Sequence, residues 1–233
     1  MASTVAVLGT LIARGVADRA ADRARRPTCY MISMWRCCLP AAWIVLSACA
    51  GSHTRELAVP DVRQATDYTC SASALQAVLA YYGVEMREDV LARELGATPA
   101  DGAPPEAIVR VAVAHGLSAR KREHMTVDDL AAEIDRGHPV IVELQAWSDA
   151  PRTSWVDDWD DGHYAIAVAV EGDRVIFEDP SVLGSRSVLS RRELEERWHD
   201  IDFGYRNVRT GIVFGGKLPA PLPAPPPKRV HMD

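Results

Sequence analysis

The stretch Gln64-Ala-Thr-Asp-Tyr-Thr-Cys70-Ser-Ala-Ser-Ala-Leu-Gln-Ala-Val-Leu-Ala-Tyr-Tyr82 places a cysteine at the start of an apolar run. A thiol at a helix N-terminus lies beside unpaired backbone N–H groups and the positive end of the helix dipole, and both favour the thiolate. Gly83 is a typical C-terminal residue for this helix. Apolar residues recur at three- and four-residue steps, which predicts one buried helix face made by Leu75, Val78, Leu79 and Tyr82.

The composition is that of an ordinary globular protein with an acidic body. The chain has 233 residues, of which 48% are hydrophobic and 25% are charged, and its formal net charge is -6. Residues 1–48 contain six arginines and two aspartates, which leaves 20 basic and 30 acidic residues in the rest. Because phosphate binding requires a basic surface, we predict no nucleic-acid partner.

Residues 31–49 resemble the signal peptide of a bacterial lipoprotein. A short basic start precedes an apolar stretch that is too short to cross a membrane. This stretch runs into Leu46-Ser-Ala-Cys49, which resembles a lipobox, and the resemblance implies that Cys49 is lipidated. The alternatives are a secretory signal cleaved near Ala48 or Ala50, or a buried helix. We expect a location on the periplasmic side of the bacterial cell envelope, with a lipid anchor in the inner or outer membrane.

Other segments flank the predicted folded domain, which spans residues 57–216. Residues 1–30 precede the signal, so we interpret them as a misplaced start or a disordered extension; an unusual basic n-region is the alternative. Residues 50–56 are predicted to be a linker. Residues 217–233 are predicted to be a proline-rich, disordered tail, because the prolines of 217–227 favour an extended polyproline conformation.

The cysteine count draws attention to one thiol. Four of the five cysteines lie at or before the predicted lipidation site: Cys29, Cys37, Cys38 and Cys49. Cys70 is therefore the single thiol of the predicted domain, and it is either buried and inert or chemically employed. Its place at a helix start favours the second interpretation.

Helices dominate the first half of the domain and strands the second. The patterns predict helices at 70–82, 87–95, 105–115, 126–136 and 190–198, and strands at 117–122, 139–145, 163–170, 175–179 and 209–214. Capping boxes are predicted at Thr126–Asp129 and Ser190–Glu193. This order indicates an α+β fold in which N-terminal helices pack on a C-terminal antiparallel sheet.

A cysteine nucleophile requires an imidazole as base and a third group that fixes the imidazole. His163 begins one strand of the predicted hairpin and Asp179 ends the other, so the turn between them makes the two residues cross-strand neighbours. Gln64 carries a side-chain amide suited to an oxyanion hole. The sequence therefore predicts Cys70, His163, Asp179 and Gln64 as catalytic residues.

These residues resemble the motifs of the C39-like cysteine peptidases, which have a papain-like fold. The resemblance covers about residues 57–200 and rests on Gln64-x5-Cys70, Asp161-Gly-His163-Tyr and Phe177-Glu-Asp179-Pro180. It implies a cysteine peptidase that hydrolyses a peptide bond, with Cys70 as nucleophile, His163 as base, Asp179 as orienting residue and Gln64 as oxyanion donor. A peptide or protein substrate is implied as well.

Two alternatives stay open. Papain-like sites also perform amidase and acyl-transfer chemistry, and a catalytically silent protein that binds peptides in the envelope is the non-enzymatic reading. Thr69 and Ser71 flank the cysteine where the family often has aspartate, and glycine or alanine. The best-known relatives belong to exporters that trim leader peptides, but the sequence shows no ATP-binding motif.

The loop from Trp147 to Asp161 is rich in tryptophan and aspartate. We predict that Trp155 and Trp159 line the substrate cleft next to His163. The spacing of the aspartates does not match an EF-hand, so no metal is predicted there, and no cofactor is predicted elsewhere.

Overall fold

The structure is a computed structural model that describes residues 54–149, 151, 153–202, 204–218 and 228–233. The predictions for the start site at 1–30, for the signal peptide at 31–49 and for lipidation of Cys49 therefore lie outside the described residues. Within the described ranges, no helix has the length and apolar character needed to span a membrane.

Five α-helices occur in the described residues, close to the predicted positions. They are α1 (Cys70–Tyr81), α2 (Glu88–Leu95), α3 (Pro105–Ala114), α4 (Val127–Asp135) and α5 (Arg191–Arg197). Both predicted capping boxes are confirmed, because Thr126 and Ser190 each exchange side-chain and backbone hydrogen bonds with the acidic residue three positions later. Local sequence thus sets where α4 and α5 begin.

The central helix α1 is buried more completely than its sequence pattern indicates. Ten of its twelve residues are buried, including the polar Ser71 and Ser73. The reason is that α1 packs against α2, α3 and the strand that carries His163, so that more than one face is covered. Its first residue, Cys70, consequently lies inside the domain rather than at an exposed helix tip.

A seven-stranded sheet forms the second layer and confirms the predicted α+β class. Its strands are β1 (Ser118–Arg122), β2 (Val140–Gln145), β3 (Gly162–Glu171), β4 (Arg174–Glu178), β5 (Arg186–Ser190), β8 (Gly211–Gly215) and β9 (Arg229–His231). Their order is β1-β8-β2-β3-β4-β5-β9, and every pairing is antiparallel except β5 with β9. A separate two-stranded ribbon consists of β6 (His199–Asp202) and β7 (Tyr205–Val208).

The β3–β4 hairpin positions the predicted base and its partner. The turn between Glu171 and Arg174 reverses the chain, and a bulge between Ala167 and Ala169 shifts the register of the two strands. His163 lies near the start of β3 and pairs with Leu144 of β2. Asp179 directly follows β4, so the hairpin brings both residues to the same end of the sheet.

Both ends of the domain extend further than the sequence predicts. The predicted tail 217–233 is ordered at its end: β9 pairs with β5, and Met232 is fully buried. The predicted linker 50–56 also packs where it is described, since the Thr54 N–H donates to the Val170 carbonyl at 2.9 Å. Glu56 joins these two ends, because it forms ion pairs with both Arg186 and Arg229.

Candidate active site

Cys70 is the first residue of α1 and is 8% exposed. Its neighbour Thr69 is the N-cap residue but makes no side-chain cap to the helix. The Thr69 hydroxyl instead bonds to Thr66, with an Oγ1–Oγ1 distance of 3.0 Å, and fixes the turn that leads into the helix. Since no side chain caps the first turn, its backbone N–H groups face the region around the thiol and favour negative charge there.

His163 lies between Cys70 and Asp179. The imidazole is 5% exposed, and its Nε2–H donates to Asp179 Oδ1 at 2.8 Å. That bond leaves Nδ1 as the ring nitrogen available to the thiol, and Cys70 lies close enough to the same imidazole to raise its pKa. The structure therefore brings together the three predicted residues Cys70, His163 and Asp179.

The surroundings of His163 favour the imidazolium. Burial alone would lower the pKa of His163, but the charge and hydrogen bond of Asp179 act in the opposite direction, and so does Cys70. The balance raises this pKa to about 10. A proton is thus held on the imidazole at neutral pH, ready for transfer to a leaving group.

Asp179 is fully buried and accepts hydrogen bonds from four donors. They are His163 Nε2 at 2.8 Å, the Ser181 backbone N–H at 2.9 Å, Ser187 Oγ at 2.9 Å and Trp147 Nε1 at 3.2 Å. Burial acts to raise the pKa of Asp179, but His163 and the bonds from Ser181 and Ser187 hold it below its ordinary value. The carboxylate is therefore ionised and fixed in orientation.

Trp147 and Ser187 are functional neighbours that the sequence reasoning missed. Trp147 has a backbone φ of 60°, an unusual value for a bulky residue. Its backbone N–H donates to the backbone oxygen of Asp233 at 2.5 Å. This conformation directs the indole N–H to Asp179, as expected of a strained residue at a functional site. The sequence did offer one indication: Trp147 lies two residues beyond the end of β2, the strand that pairs with β3 and its His163.

Gln64 is anchored beside the same carboxylate. Its backbone N–H donates to the carbonyl of Pro180, the residue after Asp179, at 2.9 Å. Its side-chain oxygen is buried and has no hydrogen-bond partner among the described residues. An oxyanion hole would use the other end of this amide, the Nε2 donor, so the predicted role of Gln64 stays a prediction.

Trp155 and Trp159 are both engaged by cationic side chains of the chain itself. The guanidinium of Arg197 stands 4.1 Å from the centre of the Trp155 ring, and that of Arg206 stands 4.6 Å from the centre of the Trp159 ring. Trp159 also packs against His199, with the ring centres 4.4 Å apart and the ring planes tilted by 46°. Their predicted role in substrate binding stays a prediction.

A cavity of about 610 Å³ is lined in part by Ser148, the residue that follows Trp147. Its lining includes Ser148, Trp155, Glu193 and Arg197, together with residues of the C-terminal segment. None of the residues Cys70, His163, Asp179 and Gln64 is in its lining.

The arrangement of the three central residues supports nucleophilic catalysis. A buried thiol contacts an imidazole that retains its proton, and a fixed carboxylate orients that imidazole. Each ring nitrogen of the buried His163 faces one of the other two residues: Nε2 faces the Asp179 carboxylate, and Nδ1 faces the Cys70 thiol. Attack by sulfur and protonation of a leaving group are the two steps that such a set performs.

Comparison with known proteins agrees with this geometry. The model of the Peptidase_C39 like family matches residues 56–205. A protein from Bacillus anthracis described as a C39-like peptidase shares the fold, with 16% identity, a TM-score of 0.51, and coverage of 72% of this chain and 99% of the other. The search of curated proteins found no match.

Two further solved structures are similar at lower scores. One is a double glycine motif protease from an AMS/PCAT transporter in complex with its leader peptide, with 16% identity, a TM-score of 0.47, and coverage of 70% and 96%. The other is the peptidase domain of Streptococcus ComA, a bi-functional ABC transporter, with 18% identity, a TM-score of 0.48, and coverage of 67% and 97%.

Proposed function

We propose that this chain, which belongs to the Peptidase_C39 like family of cysteine-type peptidases, cleaves a peptide bond with Cys70 as nucleophile, His163 as base and Asp179 as orienting carboxylate. The observation that carries the proposal is the 2.8 Å bond from His163 to a fully buried Asp179, on an imidazole that also contacts the only thiol of the described residues.

The reaction proceeds through an acyl-enzyme. The thiolate of Cys70 attacks the carbonyl carbon of the scissile bond, and the oxyanion that forms accepts hydrogen bonds from the Gln64 amide and the first N–H groups of α1. The imidazolium of His163 protonates the departing amine as the carbon–nitrogen bond breaks. Water, deprotonated by the same imidazole, then hydrolyses the thioester and restores the thiol.

The substrate we propose is an extended peptide or a protein segment. The family to which the chain belongs consists of peptidases, and a double glycine motif protease of similar structure was crystallised with a leader peptide. The lining of the 610 Å³ cavity contains four acidic residues, Asp149, Glu193, Glu196 and Asp233, against the basic Arg197 and His231, and this excess favours basic substrate side chains. We further propose that the protein is exported and held at the periplasmic face by lipid on Cys49, on the basis of its sequence alone.

An electrophilic thiol probe tests the proposed nucleophile without knowledge of the substrate. Purified full chain is treated with the probe at pH 7, and the labelled peptide is identified by mass spectrometry because other cysteines are present. We expect the residue labelled fastest to be Cys70, and His163→Ala to slow this labelling by about 10-fold or more, since general base assistance is typically worth at least that.

His138→Ala provides a matched control. His138 is also a histidine bonded to a carboxylate, with its Nδ1 3.0 Å from Glu133 Oε2, but that pair lies at the end of α4. The control variant should be labelled as fast as the unmodified protein. If a folded sample is not labelled at Cys70, or if labelling is indifferent to His163, the enzymatic proposal is wrong.

A further inference from the structure

Three carboxylates meet on the opposite face of β3 from His163. Glu143 lies on β2, and Asp200 and Asp202 lie on β6; one oxygen from each falls within 4.8 Å of the others. The three residues are 1%, 7% and 9% exposed. Since successive strand residues point to opposite faces, Tyr164 points towards this cluster while His163 points towards Cys70. The acid cluster thus contains none of the catalytic residues and lies across β3 from the thiol, although the charge of His163 still acts on Asp200.

The hydrogen bonds to this acid cluster come from uncharged groups. The Tyr164 hydroxyl donates to Glu143 Oε1 at 3.2 Å, Asn207 Nδ2 donates to Asp202 Oδ2 at 3.2 Å, and Gln145 Nε2 donates to Asp200 Oδ1 at 3.0 Å. Within the described part of the chain, no lysine, arginine or histidine forms an ion pair with any of the three acids. The cluster therefore holds three carboxyl groups that have no cationic partner among the described residues.

One oxygen of the cluster is left over. Glu143 Oε2 is buried and has no hydrogen-bond partner among the described residues. Another buried glutamate of the domain does have a charged partner: the fully buried Glu178 forms an ion pair with Arg186. A buried carboxylate oxygen with no donor is unfavourable unless a positive charge reaches it. The position of Glu143 Oε2 thus indicates a missing cationic partner.

An entry path is also present. A cavity of about 420 Å³ is lined by Asp202 and Asn207 and, towards solvent, by Lys121, Glu106 and Glu123. Asp202 therefore belongs both to the buried cluster and to the wall of an open cavity. Water in that cavity can complete the coordination of an ion held by the three acids.

We propose that Glu143, Asp200 and Asp202 bind a divalent cation, and that Ca²⁺ is the ion they suit best. The available ligands are all oxygens, which hard cations prefer, and Ca²⁺ accepts flexible oxygen coordination that water can complete. The smaller Mg²⁺ needs oxygens at about 2.0–2.1 Å in near-ideal octahedral geometry. The sequence-based expectation of no metal is replaced by this proposal, at a site distinct from the loop 147–161.

The ion would join two parts of the fold. Glu143 is in the main sheet and the two aspartates are in the β6–β7 ribbon, so a shared cation fastens the ribbon beside the strand that carries His163. Binding should therefore stabilise the folded protein, because an ion that binds only the folded state adds its binding free energy to folding.

The test uses the full chain stripped of metal with EDTA and then dialysed free of chelator. Ca²⁺ at about 100 times its dissociation constant should raise Tm by roughly 5–10 °C, and Mg²⁺ at the same concentration should do so less. Tb³⁺, a Ca²⁺ substitute, should show luminescence sensitised by the nearby Tyr164, and Ca²⁺ should displace it. Glu143→Gln and Asp202→Asn should each reduce the Tm rise to less than a third.

Glu123→Gln is the matched control, because Glu123 lines the same cavity but lies outside the cluster. It should retain the full Tm rise, which distinguishes the buried site from weak binding at the cavity mouth. The Tb³⁺ measurement on the unmodified chain keeps the test decisive if a cluster variant does not fold. The proposal is overturned if the stripped chain shows neither a Ca²⁺-dependent rise in Tm nor sensitised Tb³⁺ luminescence, or if Glu123→Gln abolishes both.

Discussion

Replacing Asp179 by asparagine removes one charge from the buried pair while it keeps the shape of the side chain. In the unmodified protein, Asp179 raises the pKa of His163 against the opposing effect of burial, and the result is about 10. Asparagine still accepts a hydrogen bond from Nε2 but carries no charge. Burial then dominates, so the pKa of His163 should fall to its ordinary value near 6.5 or lower.

The magnitude follows from that difference. A change from about 10 to about 6.5 corresponds to roughly 5 kcal/mol of preference for the imidazolium. Since removal of one partner from a buried pair typically costs about 3–5 kcal/mol, the Asn variant should lose up to that amount of folding stability. Because asparagine can keep part of the hydrogen bonding of Asp179, we expect the loss of folding stability to lie at the lower end of this range.

The sign of the pH dependence distinguishes this explanation from a general loss of packing. The folded-state pKa of His163 lies above its unfolded value, so its contribution to stability is complete below about pH 6.5 and disappears as pH rises towards 10. The pKa of Asp179 is lowered by folding, so its contribution is lost only as pH falls below its unfolded value near 3.9. The stability difference between the two proteins should therefore be largest near pH 5–6 and small near pH 10.

Two measurements check this prediction. Urea unfolding at pH 6 and at pH 9.5 gives the stability difference, and NMR titration of the His163 ring, assigned by comparison with His163→Ala, gives the pKa directly. The reasoning is refuted if the variant and the unmodified protein titrate at the same pH, or if the stability difference does not shrink between pH 6 and pH 9.5.

Three further substitutions test single contacts. Trp147→Phe removes the indole N–H that reaches Asp179 Oδ2, so kcat/KM on a cleaved peptide should fall by about 10-fold; an unchanged value would remove Trp147 from the site. Gly162→Ala would place a Cβ 2.2 Å from Asp200 Oδ2, so thermal unfolding should reveal a loss of about 1–3 kcal/mol, and a neutral effect would contradict the close approach. Ser73→Ala removes a buried hydroxyl that has no partner among the described residues, so Tm should rise by about 2–4 °C; a lower Tm would mean that the hydroxyl is bonded.

Local patterns predicted the hairpin and the helix starts because the interactions that form them are close in sequence. The Thr126 and Ser190 capping boxes each involve residues three positions apart. The contact between His163 and Asp179 depends on one tight turn, which the sequence predicted, and on the bulge between Ala167 and Ala169, which it did not.

Tertiary contacts explain what the sequence did not predict. Trp147 and Ser187 reach Asp179 from two different segments, and no periodicity relates them to it. The strand β9 follows a proline-rich stretch, and its pairing depends on an edge that β5 leaves open. The near-complete burial of α1 likewise depends on three elements that surround it.

The acid cluster had one visible signal in the sequence. Glu143 interrupts the otherwise apolar run of β2 and is fully buried in the folded protein. A charged residue within a buried strand indicates a partner elsewhere in the chain. Its partners Asp200 and Asp202 lie on β6, a strand that the sequence patterns did not predict, so the cluster became evident only in three dimensions.

The role of Cys70 as nucleophile can be tested by cleavage of a peptide library with the full chain, followed by intact-mass spectrometry of the acid-quenched reaction. We expect the unmodified protein to cut at least one peptide and to accumulate a mass that equals the protein plus the acyl portion, bound at Cys70. Cys70→Ala should give neither product nor adduct. If Cys70→Ala cleaves at the rate of the unmodified protein, Cys70 is not the nucleophile.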